Sequence, residues 1–191
     1  MIEITATGAG NLAKWLDATN ARSKKALYTA TRVEGFRLMR LLRQEIKQGA
    51  PGGRPFAPLS VIARSARGIH GDPTPLRRFA LLVRYQADQD MVRIGFFSGR
   101  SKPLSQSWRR LTLDHQYGFY HDMKETTRKR VLRQLKYVEP GLKKYFALRK
   151  TTRRFYTPAR PIIEPFWSTH EAEALRNIRS NFRRKLAGDR I

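Results

Sequence analysis

The sequence predicts an α+β fold, in which a small antiparallel sheet packs on a long N-terminal helix and an amphipathic helix ends the chain. Three observations support this prediction: helical spacing without proline at residues 12–48, two β-prone apolar runs within residues 79–97, and an apolar stripe within residues 172–186. A chain of 191 residues can bury one core, so we predict a single domain over residues 1–191. A basic segment at residues 124–157 is predicted to form an insertion or arm.

The proline-free stretch at residues 12–48 is predicted to form one long helix or two in succession, after a short strand at residues 2–7. Its apolar residues keep helical spacing, at Leu12, Trp15, Leu16, Leu27, Leu38, Leu41, Leu42 and Ile46. Val33, Phe36 and Met39 widen the apolar surface beyond one stripe. Either the helix contacts the core on one side and another element or subunit on the other, or it has a single broad core face.

The clearest hairpin in the sequence combines the apolar runs at residues 79–85 and 91–97, which the polar segment 86–90 separates. A loop rich in proline and glycine precedes it at residues 49–58 and is anchored by Phe56. After the hairpin, Pro103 opens a predicted helix that continues to Tyr117 and ends at Gly118.

The C-terminal helix is predicted to follow an extended segment at residues 158–166, because three prolines there oppose helix formation. Ser168 and Glu171 have the spacing of a capping box, which predicts that the helix begins there. Its apolar stripe consists of Ala172, Leu175, Ile178, Phe182 and Leu186. We therefore expect Leu175, Ile178 and Phe182 to be buried.

The strongest signal in the composition is charge, because 39 Lys and Arg residues oppose 15 Asp and Glu and give a net charge of +24. Self-repulsion of that size predicts an anionic partner, most simply a phosphate backbone. The stretch from Lys124 to Arg160 has 13 basic and two acidic residues, a net charge of +11. Buried unpaired charge is costly, so this stretch is expected to be solvated, to pair with an acidic partner or to lie along DNA.

Aromatic residues interleaved with these charges argue against a merely solvated tail. The candidate residues for contact with DNA or a partner protein are Arg128, Lys129, Arg130, Arg133, Lys136, Lys143, Lys144, Arg149, Lys150, Arg153 and Arg154. The sequence leaves open whether they meet phosphates or the acidic side chains of another protein.

No pattern typical of an enzyme occurs, so we predict no catalytic residues and no cofactor. Cysteine is absent, the carboxylates are scattered singly, and the sequence has no phosphate-binding loop, dinucleotide fingerprint or nucleophile elbow. His115 and His121 could join Asp114 and Asp122 around a metal, but their spacing matches no standard site, and we expect none. Metal-free ribonuclease chemistry near residues 145–156 is the remaining enzymatic alternative.

Several segments, in order, resemble the phage virion morphogenesis family, the Mu-type group of tail-completion or head-tail joining proteins. They are the long N-terminal helix, Gly-Arg-Pro-Phe-Ala-Pro-Leu-Ser at residues 53–60, the hairpin segment at residues 90–95, His-Gln-Tyr-Gly at residues 115–118, Pro-Ala-Arg-Pro-Ile-Ile at residues 158–163, and the final amphipathic helix. The resemblance covers most of the chain and lies in the order and spacing of these pieces. The basic segment at residues 124–157 is much shorter in typical members, so the resemblance implies nothing about it.

The resemblance implies a structural protein that completes the tail and joins it to the head, in a homo-oligomeric ring at the neck or the upper end of the tail, with six copies expected. Its partners would be other neck and tail proteins, namely the connector or adaptor and the tail tube or terminator. Phage DNA would pass through the ring and be held through its phosphates. The protein would belong to the virion, and to the host cytoplasm during assembly. No membrane contact is expected, since nowhere do about 18 apolar residues follow one another.

The alternative is a stand-alone DNA- or RNA-binding protein without sequence specificity, such as a nucleoid or regulatory factor. Assembly separates the two hypotheses. A regulator is expected to be a monomer or a dimer, whereas a connector is expected to form closed rings or to stay monomeric until its partner surface exists.

Overall fold

The computed structural model describes residues 21–59, 74–88, 91–97, 106–137 and 153–191. The helices of this part of the chain are α1 (Ala21–Gln48), α2 (Gln106–Tyr117), α3 (Glu125–Gln134) and α4 (Ile163–Ala187). Its strands are β1 (Arg84–Ala87), β2 (Val92–Gly95), β3 (Phe119–Asp122) and β4 (Arg154–Thr157), and short 3₁₀ turns occur at Pro51–Gly53, Arg77–Leu81 and Leu135–Tyr137. The predicted α+β class is confirmed. The strand predicted at residues 2–7 lies outside the described residues.

Helix α1 confirms the predicted long helix from Ala21 onward, while residues 12–20 lie outside the described part. Its buried side chains recur every fourth residue, at Ala26, Ala30, Glu34, Leu38, Leu42 and Ile46. The helix ends at Gln48, and Gly49 after it has a φ of +79°, which is typical of the residue that follows a helix. Of the three residues that widened the apolar surface, only Met39 is buried, while Val33 and Phe36 are exposed. The single broad core face is therefore wrong.

Helix α4 packs antiparallel to α1, because the contacts move toward the C-terminus of α4 as they move toward the N-terminus of α1. His170 contacts Glu45, and Asn177 donates to Glu34. The core contains residues of both helices, of the 3₁₀ turn Arg77–Leu81 and of the segments around them: Leu38, Met39, Leu42, Ile46, Phe56, Phe79, Ala80, Val83, Ile162, Ile163, Phe166 and Ala174. The expected anchoring of the proline-rich loop by Phe56 is thus confirmed.

The start of α4 differs from the prediction. The helix begins at Ile163, so residues 163–166 are helical and the predicted start at Ser168 was wrong. Pro165 lies in the first turn, where the backbone N–H groups have no helical acceptor and proline is tolerated. Ser168 does not cap the helix, because it lies within the helix and its Oγ donates to Pro165 O at 3.0 Å.

The predicted buried stripe of α4 was also wrong in part. Leu175, Ile178 and Phe182 are only partly buried, whereas the neighbouring Ala174 is 1% exposed. A small residue at this position lets the backbone of α4 approach α1 closely. The three larger side chains consequently lie at the margin of the helix pair.

Replacing Phe182 by alanine is therefore expected to lower the free energy of unfolding by only about 1–2 kcal/mol, because a half-buried ring loses part of its contacts and leaves no closed cavity. Denaturant unfolding of the full chain measures this change. A loss of about 3–5 kcal/mol, as for a fully buried phenylalanine, would show instead that another surface covers the stripe.

Strands β1 and β2 form the predicted hairpin, with Tyr85 opposite Ile94. The first run was predicted to be extended from Phe79, but residues 77–81 form a 3₁₀ turn and β1 begins at Arg84. The hairpin packs on α1 at Gly35, where an added Cβ would lie 2.5 Å from Val92 Cγ1 and 2.9 Å from Tyr85 Cε2. Tyr85 reaches past this point and its hydroxyl donates to Arg32 O at 3.0 Å. Burial raises the pKa of the Tyr85 hydroxyl.

A polar network lies between α1 and α4. Arg37 Nη2 donates to the buried Glu34 at 2.6 Å, and its Nη1 lies 3.2 Å from Glu173. The hydrogen bond to Glu34, supported by the charges of both carboxylates, raises the pKa of Arg37 despite partial desolvation. His170 continues the network, with Nδ1 3.9 Å from Glu173 and Nε2 2.7 Å from Glu45. The hydrogen bonds from Arg37 and Asn177 satisfy the carboxylate of Glu34, which would be costly to bury alone.

A second two-stranded antiparallel sheet was not predicted. Strand β3 follows α2 and pairs with β4, with Tyr120 opposite Tyr156 and Asp122 opposite Arg154. The sheet of the fold is therefore divided into two separate ladders within the described residues. No helix among these residues is long and apolar enough to span a membrane.

Candidate nucleic-acid and partner interface

Arg160 is a buried arginine that joins segments distant in sequence. It is 5% exposed, and its Nε and Nη2 donate to Ala57 O at 2.8 Å and Pro58 O at 3.1 Å. Its backbone N–H donates to His115 O at 2.7 Å. Carbonyl acceptors reduce the cost of burying the guanidinium. The expectation that the whole +11 stretch stays outside the core is therefore wrong for Arg160, whose role is structural.

Gln116 belongs to the same junction. Its buried Oε1 accepts the backbone N–H of Ile162 at 3.2 Å. Residues 160 and 162 thus contact residues 57–58 on one side and residues 115–116 on the other, and these positions lie in three of the segments that carry the resemblance. Gly118 then directs the chain from α2 into β3 with a φ of +76°, which confirms that the helix ends there.

A row of aromatic rings connects the core to the second ladder. The ring of Phe79 lies 5.5 Å from that of His115, which lies 5.2 Å from Phe119. Phe119 contacts His121 at 4.4 Å, and His121 stacks on Phe155 of the opposite strand at 4.8 Å. Alternation along each strand places Phe119, His121 and Phe155 on this inner face. The ladder is thus attached to the core through ring contacts.

The basic arm leaves the fold after β3 and returns at β4. The backbone N–H of Met123 donates to Arg153 O at 2.6 Å, so pairing continues one residue beyond the strands. Helix α3 follows directly, and among its described side chains none is buried. The arm therefore begins and ends at a fixed point, and its helix lies outside the core.

Helical spacing brings part of the candidate set together. Lys129, Arg133 and Lys136 lie four and three positions apart and share one side of α3 and the turn after it, with Arg130 next to them. Arg128 lies on another side and is partly buried. Arg153 and Arg154 lie at the other end of the arm, on the ladder. Lys143, Lys144, Arg149 and Lys150 lie outside the described residues.

Among the described candidate residues, Lys129 and Arg154 form ion pairs within the chain. Lys129 Nζ lies 2.8 Å from Glu125, one helical turn away, and Arg154 Nε lies 2.8 Å from Asp122 across the ladder. Both pairs are largely exposed, and such pairs contribute about 0–1 kcal/mol. A stronger anionic ligand can therefore replace these carboxylates at little cost. Arg130, Arg133 and Lys136 add exposed charge on α3 and the turn after it, next to Lys129.

The two histidines considered as metal ligands, His115 and His121, pack against aromatic rings. His115 contacts Phe79 and Phe119, and His121 stacks against Phe155. Asp122 pairs with Arg154. In the described ranges, no group of three or more His, Asp or Glu residues is placed to hold a metal ion.

Sequence reasoning missed the exposed tyrosine pair formed by Tyr120 and Tyr156. Their rings lie 5.1 Å apart on the outer face of the β3–β4 ladder. Burial alternates along both strands, but Phe-Tyr-His-Asp and Arg-Phe-Tyr-Thr do not alternate between apolar and polar residues, so no sequence signal marked the pair. Each run is only four residues long, and the strands are separated by the arm.

Comparison of the chain with models of protein families, with curated proteins and with solved structures finds no match.

Proposed function

We propose that this protein is a structural component of a tailed phage that completes the tail and joins it to the head, as a subunit of a ring around the DNA channel. The observation that supports this most directly is the way in which the basic arm is attached to the fold. A cationic helix lies outside the core, and a two-stranded ladder fixes the point where the arm leaves the fold. Function then depends on surfaces and not on a catalytic centre.

The arm is suited to binding a polyanion because its basic side chains already lie outside the core. Lys129, Arg133 and Lys136 present one cationic row, which matches a line of phosphates or an acidic protein surface. Contacts of this kind to phosphates do not read bases. The arm would therefore hold DNA in any register as it passes through a ring.

Two further observations support the assignment to a phage particle. Three segments on which the resemblance was recognised meet at Arg160 and Gln116, so the resemblance follows one structural unit and not scattered fragments. In addition, Val33 and Phe36 are exposed on α1, where a neighbouring subunit of a ring could cover them. The ring of six copies and its position at the neck or upper tail are proposed on the resemblance.

Cryo-electron microscopy of intact particles tests this proposal. Density for the chain in a ring at the neck or upper tail, with the arm toward the channel or a neighbouring ring, is the expected result. Complete particles without the chain would overturn it. Light scattering of the protein mixed with phage neck and tail proteins separates the alternative, because a stand-alone nucleic-acid-binding protein should remain a monomer or dimer in that mixture, whereas a connector should form closed rings.

Binding to DNA is expected to be independent of sequence. Isotherms measured on unrelated duplexes should coincide, and affinity should fall steeply as salt rises, because counterion release from phosphates dominates. A preference of about a thousandfold for one site, the lower range of specific binders, would contradict this expectation. Variants with Arg130 and Arg133 replaced by glutamine should show a shallower dependence on salt.

A further inference from the structure

The exposed tyrosine pair on the β3–β4 ladder is an unusual surface. Tyr120 is 70% exposed and Tyr156 is 52% exposed, although tyrosine rings are normally covered in large part. The two residues face each other directly across the ladder, with ring centroids 5.1 Å apart and an interplanar angle of 47°. Two broad aromatic surfaces are therefore offered to solvent side by side.

The inner face of the ladder holds the tyrosine pair in place. Phe119, His121 and Phe155 attach the inner face of the ladder to the core, so the strands beneath the tyrosines are fixed. Tyr156 also lies against Gly118, where an added Cβ would collide with the tyrosine hydroxyl. Rings positioned in this way lose little conformational freedom when they bind a ligand.

Basic side chains lie on this face and at one end of it. Arg154 and Asp122 occupy the next outward positions on the two strands, and Arg154 projects from the face beside Tyr156. Lys124 follows β3 and Arg153 precedes β4, and both are exposed where the arm joins the ladder. A ligand that fits this arrangement has flat π-systems and regularly spaced negative charges on the same strand.

We propose that the tyrosine pair binds single-stranded nucleic acid by stacking its bases on Tyr120 and Tyr156, while the cations at the foot of the arm contact its phosphates. Aromatic rings on a strand surface next to basic side chains are the arrangement that single-strand binding uses. A duplex stacks its bases on each other and presents phosphates and base edges but not base faces, so it cannot stack on the tyrosines. The inference goes beyond the proposed function, which requires phosphate contacts alone.

The test compares affinities of the full chain for a single-stranded oligonucleotide and for a duplex of the same phosphate count, at matched salt. Y120A and Y156A should each weaken single-strand binding by about fivefold to a hundredfold, the range for loss of one stacked base. Duplex binding should not change. Y120F and Y156F should retain single-strand binding, because stacking needs the ring and not the hydroxyl.

Leu81→Ala removes an exposed apolar side chain from the 3₁₀ turn Arg77–Leu81, outside the ladder, and is the control, which should leave both affinities unchanged. Unaltered single-strand binding in the doubly substituted Y120A/Y156A chain would overturn the proposal, as would an equal loss for single strand and duplex. If Y120A/Y156A leaves single-strand affinity intact but prevents assembly, the pair contacts a protein and the proposal is wrong. Failure of the proposed function shows separately, as complete phage particles that lack the chain.

Discussion

Replacing Gly52 by alanine is expected to lower the free energy of unfolding by about 2–6 kcal/mol, the sum of a strained backbone and an overpacked contact. Gly52 has a φ of +61° in the turn after α1, and an added Cβ would collide with the carbonyl oxygen of Pro165 and lie 2.9 Å from Phe166 N. Both atoms belong to the backbone of the first turn of α4, which cannot rotate away. The two long helices would have to separate.

The position of Gly52 is also fixed by hydrogen bonds. Its N–H donates to Glu45 Oε2 at 2.7 Å, and Thr169 Oγ1 donates to its carbonyl oxygen at 3.1 Å. The turn is thus connected to α1 on one side and α4 on the other. A displacement that relieves the collision would stretch these bonds.

Gly53 provides a matched control for this experiment. It has a φ of +74°, but an added Cβ would meet nothing within 4 Å. Gly53→Ala should therefore cost only the backbone strain, about 1–3 kcal/mol. Chemical denaturation of both variants measures the difference, and equal losses would show that α4 does not pack on this turn.

The helices were predictable because their signal is local. In α1 the apolar spacing extends over many turns, and the terminating glycine is read directly from the sequence. The β1–β2 hairpin was predictable for the same reason, since its strands are neighbours in sequence. Its boundaries were less certain from sequence, because the apolar residues at Phe79 and Ala80 fill the core equally well from a 3₁₀ turn.

Features that depend on distant partners were not predictable. Strand β3 pairs with β4 across the entire arm, so neither run shows a turn signal beside it. Arg160 was counted with the surface charges because its carbonyl acceptors, on Ala57 and Pro58, lie about a hundred positions earlier in the chain. The start of α4 was predicted wrongly because proline was taken as an obstacle, although Pro165 lies in the one turn that tolerates it.

Part of the candidate site followed from the sequence and part did not. The spacing of Lys129, Arg133 and Lys136 indicates a shared helix side without any tertiary information. The pairing of Arg154 with Asp122 depends on the register of the second ladder and could not be read from the sequence. The tyrosine pair depends on the same register.

The proposed function predicts that charge reversal of the arm abolishes the production of infectious particles while the chain stays folded. Arg128, Lys129, Arg130 and Arg133 are replaced together by glutamate in a phage that encodes this chain. None of the four side chains is buried, so the core is untouched and thermal unfolding should change little. Repulsion then replaces attraction toward DNA or an acidic partner, and tails and filled heads should accumulate unjoined.

A chain with four reversed charges elsewhere is the control that distinguishes the arm from net charge. Arg40, Arg176, Arg179 and Arg183 are exposed on α1 and α4, and their replacement by glutamate changes the net charge by the same amount. This control should yield particles at a normal level if the position of the charge matters. Normal yield from the arm variant would show that the arm is dispensable, whereas equal loss from both variants would assign the effect to total charge and not to α3.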